Sequence, residues 1–402
     1  MFAILFALAV AARTDTIVVS PSGTLTAAIA RAHNGDVIRV QAGIYAEPMI
    51  VVDKQVTLVG DGWPVLDGQA THQIMSVTAD DVTVRGFVFR NVGTSFVEDR
   101  AALKVTKARG CVIADNRLER VFFGIYLAAA NDCRITNNVI TGTGTTEASA
   151  GNGIHLWTSN RIRIEGNHIS GQRDGIYFEF VRESEVLGNT SEHNLRYGLH
   201  FMYSDDCRYV DNVFRVNSAG VAVMMTKRVT MAGNRFESNW GSASYGLLLK
   251  EVYDVRLERN QFVRNTVGVL ADGANRIDAE HNEFRRNGWA LKLLASTDEG
   301  HFRANNFIGN TFDVATNNRE STNELAGNYW DAYRGYDLDH NGVGDVPFHP
   351  VRLFSLLVQT NESSLILLRS VFVSLLDAAE RAIPTLTPQA LVDRSPMMHP
   401  IP

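Results

Sequence analysis

Two short stretches in the middle of the chain bring soft ligands together. In "GLHFM" and "GVAVM", which open on Gly198 and Gly220, strict alternation puts His200 and Met202 on one side of a short strand and Met224 on the same side of the next. If those strands are stacked in parallel, Met202 and Met224 stand about 4.8 Å apart along the stack. Two thioethers beside an imidazole form a ligand set suited to Cu(I). The same residues share a broad apolar and aromatic face with Trp157, Tyr177 and Leu248, which would also dock a partner or lie under a loop. A second soft group, Met397, Met398 and His399, falls in the tail, where disorder is expected.

Hard ligands concentrate elsewhere. In "GNYWDAYRGYDLDHNGVGDVPFHP" (327–350), Asp337, Asp339, Asn341 and Asp345 fall at positions 1, 3, 5 and 9 of a calcium loop, with Gly342 at position 6. Position 12, which calls for a bidentate glutamate, is Phe348. The segment is therefore a candidate calcium loop completed by other ligands, or a loop ordered by side-chain bonds to its own backbone. Carbohydrate-active enzymes on elongated β folds need two or three carboxylates on one face, about 5–10 Å apart. The outward positions offer only Glu179 and Asp272, four turns from one another. An enzyme of that kind is the competing reading, and it loses its best location.

The elements that must position these residues repeat. Asparagines at 116, 138, 167, 189, 212, 234, 260, 282 and 305 recur at intervals of 22, 29, 22, 23, 22, 26, 22 and 23. A period near 22 marks a solenoid, and a glycine followed by alternation marks a strand within each unit. The expected fold is all-β, a single-stranded parallel β-helix, with an asparagine ladder and a ladder of Phe214, Phe236, Phe262, Phe284 and Phe307 inside. Residues one and three past each glycine face the core; those two and four past it face outward. Insertions at 142–152 and 241–244 account for the long intervals as outside loops. Cys111, Cys133 and Cys207 occupy one interior column, the first two in adjacent turns where a disulfide is geometrically conceivable.

The ends need covers. A short helix over 25–32 suits the N-terminal cap, and 361–384 reads as a C-terminal helix of about 18 residues. The expected division is a signal peptide over 1–12, the β-helix over 13–326, an Asp/Gly-rich junction over 327–350, and a helix and tail over 351–402. With 38 basic against 44 acidic residues and no basic cluster, nucleic acid is not an expected partner.

Taken together, "RDGIYFEFV", "NLRYGLHFMYS", "AGVAVMM", "YGLLLKEV", "NGWALKL", the 327–351 segment and "LLRSVFVSLLDAAER" resemble the NosD family. The resemblance implies an exported, periplasmic, right-handed β-helix that is not an enzyme. It implies a helper that works with an ABC-type ATPase and its permease in assembling the copper centres of nitrous oxide reductase. A copper chaperone is then expected to dock. Register places that handover at His200, Met202 and Met224, with Trp157, Tyr177 and Glu179 as the docking face, and Leu368, Phe372 and Leu376 of the C-terminal helix as the permease contact.

Overall fold

In the computed structural model each turn of chain contributes three short strands, and each strand pairs in parallel with its equivalent one turn on. The described residues are 14–95, 97–294, 296–317, 321–368, 370–383 and 390–402, so the expected signal peptide lies outside them. One column of 13 strands, from Ile44–Tyr45 to Tyr329–Trp330, stands apart as its own sheet, which gives the parallel β-solenoid about 13 turns. The other two columns count as one sheet of 24 strands. They join because Ala219–Ala232 and Leu247–Glu258 run unbroken across the bend between them.

The interior is two kinds of ladder. In the asparagine ladder, Asn212 donates from N and Nδ2 to Asn234 Oδ1 at 3.0 and 2.9 Å, and from Nδ2 to Val186 O at 2.8 Å. Each rung repeats this, so buried amides that would be costly alone satisfy one another. Phe214, Phe236, Phe262, Phe284 and Phe307 stack with ring centroids 4.7–5.6 Å apart, and Trp330 closes the column 4.0 Å beyond. A second amide ladder, Asn194, Asn217, Asn239, Asn265, Asn287 and Asn310, runs at the next bend, five residues after the first.

The expected cap helix is α1, Leu25–Arg31, with Thr24 Oγ1 accepting from Ala27 N. The other end differs from expectation. Instead of one long helix there are α2, Leu353–Thr360, a 3-10 turn Glu362–Leu367, and α3, Val371–Ala382, which restarts where Ser370 caps Val373 N. Residues 390–402 are not a loose tail. They lie down as a further rung, pairing Asp393 with Leu325 and Met397 with Tyr329. There Asp393 takes the place of the next ladder asparagine: its carboxylate accepts from Asn328 N, Asn328 Nδ2 and Trp330 Nε1, all at 3.0 Å. A carboxylate has no N–H to pass on, so the ladder ends at this residue.

Candidate metal-binding face

The residues singled out for chemistry sit on three neighbouring strands, Asp174–Glu179, Tyr197–Met202 and the first part of Ala219–Ala232. Register sets Tyr177, His200 and Ala222 in one outward row, and Glu179, Met202 and Met224 in the next. Met202 and Met224 are directly opposed and half-buried, two residue pairs along from His200. Trp157 extends the second row and is 44 % exposed.

The first outward row is not open to solvent, contrary to the simple alternation. His200 is only 6 % exposed, wedged between the rings of Tyr177 and Tyr197 at 5.1 and 4.8 Å. Its Nδ1 lies 3.2 Å from an Arg196 guanidinium nitrogen and 3.7 Å from Asp174 Oδ2, while Nε2 is buried without a hydrogen-bond partner. Upstream, Tyr126, His155 and Tyr177 continue the stack at 4.3 and 4.7 Å, with Lys104 over the Tyr126 ring. Burial, reinforced by the positive charge of Arg173, pushes the His155 imidazole down to about 3. Burial and the charge of Glu179 push the Tyr177 hydroxyl up to about 12.

Beneath this row lies a charged cluster that alternation concealed. Asp174 is wholly buried and takes a bidentate pair of bonds from Arg196 at 2.9 and 2.6 Å, with Arg173 Nε at 3.7 Å. Burial works against its charge, but hydrogen bonds from His200 and Arg196 and both guanidinium charges hold its carboxyl below the ordinary range. Asp174 opens its strand just before Gly175, the position that the register with Tyr197–Met202 skips. A side chain that period two would send to the core turns outward here instead. The end of the 142–152 insertion meets this cluster: Arg173 N donates to Gly151 O at 2.8 Å, and Asn152 Nδ2 lies 3.0 Å from His155 Nδ1.

A third row was also hidden by alternation. Five past each glycine the backbone takes positive φ, 55° at Phe180, 51° at Tyr203 and 52° at Met225, which swings those side chains out at the corner. Phe180 and Tyr203 stack at 5.1 Å as an exposed aromatic pair, and half-buried Met225 follows them one turn on. The face therefore presents three methionines, a buried histidine with a free ring nitrogen, and exposed Trp157, Phe180 and Tyr203. Glu179 and Asp272 are separated in their row by Met202, Met224 and Lys250. Among the described residues no three His, Cys, Asp or Glu side chains converge as a hard metal site.

A family described as "Periplasmic copper-binding protein (NosD)" matches residues 137–335, the span that holds all three rows. The "Probable ABC transporter binding protein NosD" of Pseudomonas aeruginosa is 32 % identical over 379 residues, 89 % of this chain and 87 % of that protein. The chain belongs to the NosD family. A NosD relative of the same description from Stutzerimonas stutzeri is 26 % identical over 90 % of this chain and 86 % of its own. Among solved structures, the catalytic domain of a GH87 α-1,3-glucanase covers 79 % of the chain and 69 % of its own at TM-score 0.62 and 11 % identity. A Yersinia enterocolitica family 28 exopolygalacturonase covers 77 % and 78 % at TM-score 0.57 and 10 % identity. Both share the solenoid fold with this NosD chain.

The remaining expected residues fall in two places. In the junction loop, Asp337 accepts from Asn341 N and Gly342 N at 3.1 and 2.9 Å, Asp339 from Asn341 Nδ2 at 2.9 Å, and Asp345 from Leu338 N at 2.8 Å. These carboxylates are thus engaged by the loop itself. In the helical arm the expected contact face is partly reversed. Leu368 and Leu376 pack inward on Phe312, Phe354 and Val358, and of the three only Phe372 faces out. The exposed apolar side is formed with Ile366 at 89 % and Val371 at 75 % exposure, together with Leu375. Among the described residues no helix is long and apolar enough to cross a membrane.

Proposed function

We propose that the chain takes Cu(I) at His200, Met202 and Met224 as cargo and serves assembly of the copper centres of nitrous oxide reductase. The observation that carries this reading is that two register-opposed thioethers follow, on the same strands, a buried imidazole nitrogen without a hydrogen-bond partner. A thioether-rich set with one imidazole holds a soft monovalent ion without hard carboxylates, and half-burial leaves it reachable from one side only. Trp157, Tyr177, Glu179, Phe180 and Tyr203 surround that opening and form the dock for a copper chaperone. The outward side of the arm, Ile366, Val371, Phe372 and Leu375, meets the permease of an ABC-type transporter whose ATPase lies across the membrane. Its apolar, unpaired character suits a protein contact.

The test is Cu(I) competition between the purified chain and a colorimetric chelator. Met202→Ala combined with Met224→Ala is expected to weaken copper retention roughly tenfold or more, and to lower the copper content of co-produced reductase. Unchanged retention together with a fully loaded reductase would remove the proposed site.

A further inference from the structure

We propose that Cys111 and Cys133 are joined by a disulfide in the exported protein, a covalent rung between adjacent turns. The strands that follow them pair Val112 with Arg134 and Ile113 with Ile135, and Arg134 N donates to Cys111 O at 2.8 Å, so the two cysteines stand opposite each other. In-register parallel neighbours lie about 4.8 Å apart, inside the Cα separation of about 4.4–6.8 Å that a disulfide spans. Both side chains belong to the same buried core, which points them the same way. Each thiol meets the carbonyl two residues before it, Cys111 Sγ with Arg109 O at 3.8 Å and Cys133 Sγ with Asn131 O at 3.2 Å, so the two repeat one geometry a turn apart. Cys207 supplies the internal contrast. It is also buried, but register stacks it between Ser184 and Val229, and no thiol is within one rung of it.

The step balances simply. The Sγ–Sγ bond forms as both thiol protons leave, and two electrons pass by thiol–disulfide exchange to a protein disulfide oxidant, whose own disulfide becomes a dithiol. The periplasm named in the family's description is a compartment where such bonds persist. Cys111 and Cys133 are 1 % and 0 % exposed in the finished cylinder, so exchange takes place before the turns close. The segment they bracket carries Phe123–Ala128, the strand whose Tyr126 begins the aromatic stack leading to His200. The crosslink therefore ties down the upstream end of the candidate face.

The test is thiol counting on the full chain isolated from the periplasm, alkylated at lysis and denatured without reductant. The expected result is one labelled cysteine, Cys207, rising to three after reduction, and a tryptic map that shows the 111–133 crosslink. Cys133→Ser should then expose two thiols without reductant, Cys111 and Cys207. Three labelled cysteines in the unreduced native chain, or a crosslink involving Cys207 or a second chain, would overturn the proposal. Neither readout involves copper, so the crosslink and the copper site stand or fall separately.

Discussion

Asn212 and His200 are buried to a similar degree, one inside the cylinder and the other just outside its wall. Every donor of Asn212 is met by its own ladder, and its Oδ1 accepts from Asn189 N and Nδ2 at 2.9 and 3.0 Å. His200 is held on one nitrogen only. A polar column that saturates itself specifies the fold; one left incomplete keeps a bond in hand for something else. In the cluster around His200, Asn152 Oδ1 is likewise buried without a hydrogen-bond partner, and Arg173 Nε has only its 3.7 Å ion pair with Asp174.

Perturbing the saturated side should have the largest effect. Asp393→Ala leaves the amides of Asn328 and the Trp330 indole without an acceptor. A loss of about 3 kcal/mol or more is expected at that end, read as early denaturant unfolding and rapid proteolysis, with Asp393→Asn recovering part of it. Asn212→Ala breaks two rungs at once and is expected to cost about 2 kcal/mol while copper retention per folded molecule stays the same. His200→Ala reverses that pattern. It is expected to reduce Cu(I) retention roughly tenfold, equivalent to about 1.4 kcal/mol, with a smaller change in unfolding midpoint than Asn212→Ala. Equal effects on both readouts for the two variants would collapse the distinction between saturated and open columns.

A pH series sharpens it further. His155 is buried neutral, with its folded value lowered to about 3 from 6.5, so below pH 6.5 the unfolded chain binds the proton and the folded chain does not. Stability should fall with pH across the window from 6.5 to 3, by at most about 1.4 kcal/mol per pH unit from this group. His155→Gln should flatten that part of the profile in urea titrations. The smallest effect is expected from calcium. The 337–345 carboxylates already serve the loop's backbone, so millimolar Ca²⁺ should leave the melting temperature unchanged, and a clear rise would show that the metal displaces those amides.

What sequence could reveal here follows from locality. The solenoid, the first asparagine ladder and the opposition of Met202 to Met224 are legible because period and alternation repeat in every turn. The second ladder shares that period, five residues behind the first, and could have been found by asking what else recurs. Asp174 and Met225 escape because neither keeps the strand's alternation, Asp174 at the strand start before Gly175 and Met225 at a positive φ. Helical spacing put Leu368, Phe372 and Leu376 on one face of one helix, but the helix restarts at Ser370, so Leu368 and Leu376 pack inward while Phe372 faces out. The closing rung had no local signal at all, since Asp393 meets Asn328 across 65 residues.

That long return changes the order of events in making the protein. Interior turns can form as soon as the next turn arrives, whereas the last amides of the cylinder wait for a segment that emerges only after the whole helical arm. Until then the growing end is an open sheet edge, the condition that invites pairing with another chain. The arm is in effect a loop thrown out from the lid, fixed at both ends once residues 390–402 are in place. Clipping it would leave the lid attached only by its rung contacts.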